Sequence, residues 1–123
     1  MIAAGGRVHW CADAAEANAA ILGICQSLDA RTVTKGKSMI SEEIGLNDYL
    51  EANGVTPVET DLGEYIIQLR HEAPSHIIAP AIHLQMRQVE ETFREHHRHL
   101  DPARQLMEPP QLMGEARAEL RGR

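Results

Sequence analysis

A chain of 123 residues has room for one modest domain, with a core that is real but not large. Its formal net charge of −6 argues against nucleic acid or an anionic membrane as the main partner, since both reward clustered lysine and arginine. With one tryptophan, one phenylalanine and two tyrosines it lacks a stacking platform for bases, and no apolar run approaches the roughly 20 residues of a membrane span.

The opening MIAAGGRVHWC has neither the basic start nor the apolar stretch of a signal peptide, which makes the cytoplasm the expected location. Arg7 to Trp10 reads as a first strand. Asp13 then caps a helix, with Glu16 completing a capping-box pattern, and Ala17, Ile21, Ile24 and Leu28 line one face at helical spacing. RTVTK is a second strand. Ser41 reads as the N-cap of the next helix, whose Leu46 and Leu50 face inward and whose end is marked by Asn53-Gly54, a helix stop. VTPVET is a third strand, with Pro57 confined to a position that donates no ladder bond or to an edge. Asp61 to Arg70 is a short helix, SHIIAP a fourth strand, and His83 to Leu100 a long helix with Met86, Val89, Glu90 and Phe93 along one side. Strands separated by helices imply parallel pairing. The fold class is α/β, a mainly parallel sheet with flanking helices. Residues 1–101 form the domain, DPARQLMEPP (residues 102–110 and the aspartate before them) is rich in breakers and reads as a linker, and 111–123 is a terminal amphipathic helix. Its stripe of Leu112, Ala116 and Leu120 needs a cover, either its own sheet or a second copy, so a homo-oligomer is expected.

Several motifs carry chemistry and also have plain structural readings. Gly36-Lys37-Ser38 invites comparison with a P-loop, but the first glycine of that motif falls on Arg31, and the match fails. Position remains: Lys35, Lys37 and Ser38 follow the end of a strand, where open α/β sheets place ligands. Two ammonium groups there suit a carboxylate or phosphate. Alternatively, Ser41, Glu42 and Glu43 complement a helix dipole and the lysines are solvated. Glu59, Asp61 and Glu64 are similarly double: a capping box explains Asp61 and Glu64, while the three carboxylates facing the lysines could hold a substrate and relay a proton. REHHRHL places His96, His97 and His99 around a helix rather than at i, i+4, so no metal site is expected there. His83 follows Pro80 near the same edge. Cys11 and Cys25 form no CxxC and are expected as reduced, half-buried thiols. The candidate ligand set is Lys35, Lys37, Ser38, Glu42, Glu59, Asp61, Glu64 and His83; no catalytic residue is assigned.

GGRVHWCADAAEAN, KGKSMISEEIGLN, VETDLGEYIIQL and PSHIIAPAIH, in this order and spacing, resemble the amino-terminal part of the lactate-utilization iron–sulfur (LutB-like) family over residues 5 to about 100. The resemblance implies part of an LUD domain, related in fold to the CoA-transferase and ribose-phosphate-isomerase group. It implies a cytoplasmic protein that works with other lactate-utilization subunits in oxidising L-lactate to pyruvate. Electrons would pass through [4Fe–4S] clusters that later cysteine motifs of the family hold. This chain has no CxxCxxC run, so no cofactor is expected within it. Gly36 stands where the family resemblance leads one to expect a serine. The alternative is a non-catalytic α/β module for binding or assembly.

Overall fold

A computed structural model describes residues 1–76 and 78–122. Ile77, within the expected fourth strand, and Arg123 lie outside the described residues. The chain divides into two compact units, Met1–Val58 and Glu59–Arg123.

In the first unit a short 3-10 turn at Ile2–Ala4 leads into α1 (Ala14–Ser27), followed by β1 (Thr32–Lys35), α2 (Met39–Glu43), α3 (Leu46–Ala52) and β2 (Thr56–Glu59). Asp13 starts α1 as the sequence indicates. Its side chain accepts from Glu16 N–H at 2.9 Å, which satisfies one orphan donor of the first turn, and the Glu16 carboxylate reaches back past the cap to accept from Ala12 N–H at 2.8 Å. The β-branched Thr32-Val33-Thr34 favours the extended β1. β1 and β2 pair as a small parallel sheet, joined by the α2–α3 crossover that parallel pairing requires. Both strands are edges, which is how Pro57 is accommodated in β2. The single helix expected between them is broken in two at Gly45, whose φ of 62° is the left-handed conformation glycine adopts without a Cβ penalty. Past α3, Gly54 takes φ 79° and closes the helix after Asn53 as expected.

The core of this unit is Leu22, Cys25, Leu46, Leu50 and Val55. Leu46 and Leu50 point inward as their spacing indicates. α1 does not present the expected stripe: Ile24 and Leu28 are exposed, and Asn18, Leu22 and Cys25 are buried instead. The helix is rich in alanine and apolar on more than one side, so periodicity alone leaves its orientation open. Asn18 Nδ2 donates to the Ile44 carbonyl at 2.8 Å, which ties the adjacent face inward. The expected first strand is absent. Arg7–Trp10 has no regular structure among the described residues, and Trp10 is 92% exposed; without a neighbouring strand its local propensity has nothing to pair with. Nor are the two thiols alike, for Cys11 is exposed and Cys25 buried.

The second unit holds α4 (Leu62–Arg70), α5 (Met86–His96) and α6 (Pro109–Gly122). SHIIAP is not a strand in its described residues. Ser75 N–H and Oγ–H both donate to the Pro80 carbonyl, at 3.1 and 2.9 Å, and the N–H groups of Ile78 and Ala79 turn onto His76 Nδ1. These local acceptors take the donors that a ladder would use. α5 is shorter than expected and starts on a Gln85–Gln88 capping box. Its Val89 and Phe93 are buried as the pattern indicates, while Met86 is exposed. The segment read as a linker packs closely: Leu106 is among the most buried side chains, and Arg94 donates to the carbonyls of Pro102 and Arg104. α6 does not dangle. Leu112 and Ala116 join Tyr65, Ile66, Val89, Phe93 and Leu106 in one core, with Leu120 against it. The stripe finds its cover inside its own unit, which removes the ground on which a homo-oligomer was expected. Among the described residues no helix is long and apolar enough to cross a membrane.

Candidate functional site

In the first unit the strand-end loop brings together four polar side chains. β1 delivers Lys35 at its carboxyl end, three residues of loop follow, and α2 begins. Ser38, not Ser41, is the N-cap: its Oγ accepts from Ser41 N–H at 3.2 Å. Ser41 lies one turn inside the helix and is buried. The correction has a simple cause, because Ser38 and Ser41 each precede a plausible first turn and only the chain's exit from β1 selects between them. Lys35 Nζ donates to Ser41 Oγ at 2.7 Å and approaches Glu42 Oε1 at 3.4 Å. Ser41 Oγ–H in turn donates to the Ser38 carbonyl at 2.8 Å. Lys37 is exposed on the loop between them and Ser38 is half-buried. The ammonium of Lys35 is therefore largely shielded from water, at a strand exit where α/β folds present charge to ligands.

The remaining candidates lie in the second unit. Glu59 and Glu64 are buried; Glu59 N–H donates to the Gln68 side-chain oxygen at 3.0 Å. Asp61 is the N-cap residue of α4, but its carboxylate makes no capping bond. The expected capping bond from Asp61 is not formed. Asp61 stays exposed beside the helix start. His83 belongs to a surface network: its Nδ1 lies 2.8 Å from Ser75 Oγ and its Nε2 3.1 Å from Glu72 Oε2. Arg70 Nε and Nη2 grip Glu72 Oε1 at 2.8 and 2.6 Å, and Arg70 Nη1 donates to Thr92 Oγ1 at 3.1 Å. The arginine bonds, and after them the bond from His83, hold the Glu72 carboxyl below its ordinary pKa. Serine, histidine and glutamate in a row suggest a nucleophile, but the hydrogen bonds oppose it. The Ser75 hydroxyl lies within reach of the Pro80 carbonyl at 2.9 Å as well as of the imidazole at 2.8 Å, so its one proton is not reserved for His83. This is a surface clamp on the loop.

A largely buried polar chain among the described residues was not foreseen from the sequence. Tyr65 Oη lies 2.8 Å from His97 Nε2, His97 Nδ1 lies 3.0 Å from Glu115 Oε1, and Arg104 Nη1 donates to Glu115 Oε2 at 2.7 Å. The His97 side chain is 0% exposed and stacks on Phe93 at a centroid distance of 4.5 Å. Every group is satisfied with the histidine neutral: tyrosine donates to Nε2, and Nδ1–H and arginine both donate to the carboxylate. The only sequence signal was the i, i+4 spacing of Phe93 and His97, which puts the histidine on the apolar side of α5. Beside the chain lies an open cleft of about 550 Å³, lined among others by His96, Arg98, His99 and Arg104.

The cysteines do not suit an iron–sulfur cluster, which takes four thiolates. Cys25 is packed among Leu22, Leu46 and Leu50, and Cys11 is exposed. Among the described residues no three His, Cys, Asp or Glu side chains are grouped so as to hold a metal ion.

A family model for the LUD domain matches residues 1–122. The chain is 42% identical over 120 residues to Lactate utilization protein B of Bacillus subtilis strain 168, a match covering 95% of this chain and 24% of that one. It is 47% identical over 96 residues to Lactate utilization protein B of Macrococcus caseolyticus, covering 77% of this chain and 20% of the relative. With the protein of the same name from an Exiguobacterium species it shares 49% over 92 residues, 75% of this chain and 20% of the other. The matches thus take up a fifth to a quarter of the length of these relatives. No solved structure matches.

Proposed function

The chain belongs to the LUD-domain family, and we propose that it serves lactate utilization as the portion of such a protein that holds a small carboxylic acid. The observation that carries this reading is the identity of 42% over 95% of the chain with a lactate utilization protein, joined to a shielded ammonium at a strand exit. In this reading Lys35 and Lys37 bind the carboxylate of L-lactate or pyruvate, assisted by Ser38 and Glu42. Oxidation of L-lactate to pyruvate releases two electrons and two protons; the electrons leave through [4Fe–4S] clusters outside this chain, in concert with other lactate-utilization subunits in the cytoplasm. The two cysteines of this chain take no part in that transfer.

A chimera tests it. Replacing the matching segment of the Bacillus subtilis protein with this chain should preserve growth on L-lactate as sole carbon source, and Lys35→Met in the chimera should abolish it. A chimera that accumulates normally yet supports no growth would overturn the proposal in favour of a non-catalytic assembly module.

A further inference from the structure

The last helix, α6, has a second face besides the one that closes its core. Leu112 and Ala116 belong to the core of the second unit. Met113, Ala116, Arg117, Leu120 and Arg121 recur at i, i+3, i+4, i+7 and i+8, which places them along one side of the helix. With Thr60 and Leu62, from the start of α4 and the residues before it, this side walls a cleft of about 300 Å³, a size at the lower end of small-molecule sites.

The chemistry of the lining is divided. Leu62, Met113, Ala116 and Leu120 are apolar, the charges are those of Arg117 and Arg121, and no acidic side chain lines the cleft among the described residues. Residues four apart on a helix are surface neighbours, so the two guanidinium groups can meet a single anionic head. Neither makes an ion pair or a side-chain hydrogen bond with another described residue. The other clefts of this unit differ in that respect. Beside His96, Arg104 is bound to Glu115 and a second glutamate, Glu119, lines the wall; beside Met86, Arg87 and Arg94 are paired with Glu91 and Glu90. Water can satisfy the two free arginines but not the apolar wall next to them, where Met113 is 47% exposed. We infer that this cleft binds an aliphatic carboxylate, with its chain along Leu62, Met113 and Leu120 and its head on Arg117 and Arg121. A carboxylate presents two oxygens side by side, the match for a guanidinium fork, and the chain removes the methionine and leucines from water. The site shares no residue with the strand-exit loop and does not depend on how that loop is read.

The test is a calorimetric titration of the full chain with butyrate, hexanoate and octanoate, alongside ¹H–¹³C spectra of the methionine methyl groups. Each methylene that the cleft covers is worth roughly a fourfold gain in affinity. Octanoate should therefore bind about tenfold or more tightly than butyrate and should shift the Met113 methyl signal saturably. Arg117→Gln combined with Arg121→Gln should weaken octanoate by about tenfold or more, the loss expected when hydrogen bonds between charged groups disappear. Octan-1-ol, which has the chain without the charge, should be weaker by a similar factor. If circular dichroism shows that the double variant fails to fold, the chain-length series and the octan-1-ol comparison on the unaltered chain decide. Octanoate that leaves Met113 unmoved, or that binds the folded double variant as tightly as the unaltered chain, overturns the site. A dimer seen by light scattering that Met113→Gln dissociates would also overturn it, by making a second copy the occupant. So would adsorption of the chain to anionic phospholipid vesicles without any response to free octanoate.

Discussion

The two units solve the problem of buried polarity in opposite ways. In Glu59–Arg123 a tyrosine, a histidine, a glutamate and an arginine are linked end to end beneath an aromatic and aliphatic core. In Met1–Val58 the buried polar residues among those described are Asn18 and Ser41, and a lysine and a glutamate meet Ser41 at the strand exit. A closed chain of this kind rigidifies a core because each member depends on its neighbours. The Lys35 ammonium instead lies between a serine hydroxyl and a glutamate carboxylate that is partly open to solvent. The contrast separates a unit built around a fixed network from one that offers charge at an edge.

The largest expected effect lies in the fixed network. Phe93 is fully buried and stacks on His97, so Phe93→Ala should cost roughly 3–5 kcal/mol in urea denaturation followed by circular dichroism. Its ring covers the imidazole as well as filling volume, and the loss should exceed that of Leu50→Ala in the first unit. Equal costs would mean that the polar chain adds nothing to its core. A smaller effect follows from Glu115→Ala, which strands the buried Nδ1–H of His97 while the half-exposed Arg104 rehydrates. About 1–3 kcal/mol should be lost. Glu115→Gln keeps the acceptor and should cost less. A loss no greater for alanine than for glutamine would show that the chain is incidental.

The smallest effect belongs to the surface clamp and depends on pH. Arg70 and His83 lower the folded-state pKa of Glu72 from its ordinary value of 4.5. The clamp therefore contributes stability above that value and loses it as the pH falls through the lower folded value. The melting temperature of the unaltered chain should exceed that of Glu72→Gln at neutral pH, with the difference shrinking below about pH 4. A difference that stays constant into acid would remove the carboxylate from the account.

Particular residues show how far the sequence could be read. Asp13 with Glu16, the β-branched run at Thr32–Thr34, the inward Leu46 and Leu50, and the Leu112–Ala116 stripe were all legible. Each depends on neighbours within about one or two helical turns, or on period-two alternation. Arg7–Trp10 and the described residues of Ser75–Pro80 have strand-like composition without strands, because a strand exists only where another chain segment completes its hydrogen bonds. The lysines and serines of the loop were legible as a polar cluster, but which serine caps and which holds Lys35 was not.

By itself, then, the sequence determined the α/β class, the Asp13 cap, the Asn53-Gly54 stop and the inward residues of α3, α5 and α6, together with a family signature in the stretches around Lys35 and Asp61. Tertiary structure decided the rest: the rotation of α1 toward Asn18 and Leu22, the cover for α6, and the chain from Tyr65 through His97 to Glu115. The contacts within that chain join residues 32 and 18 positions apart. No local pattern encodes such separations, and only the packing of α4, α5 and α6 brings them within a hydrogen bond.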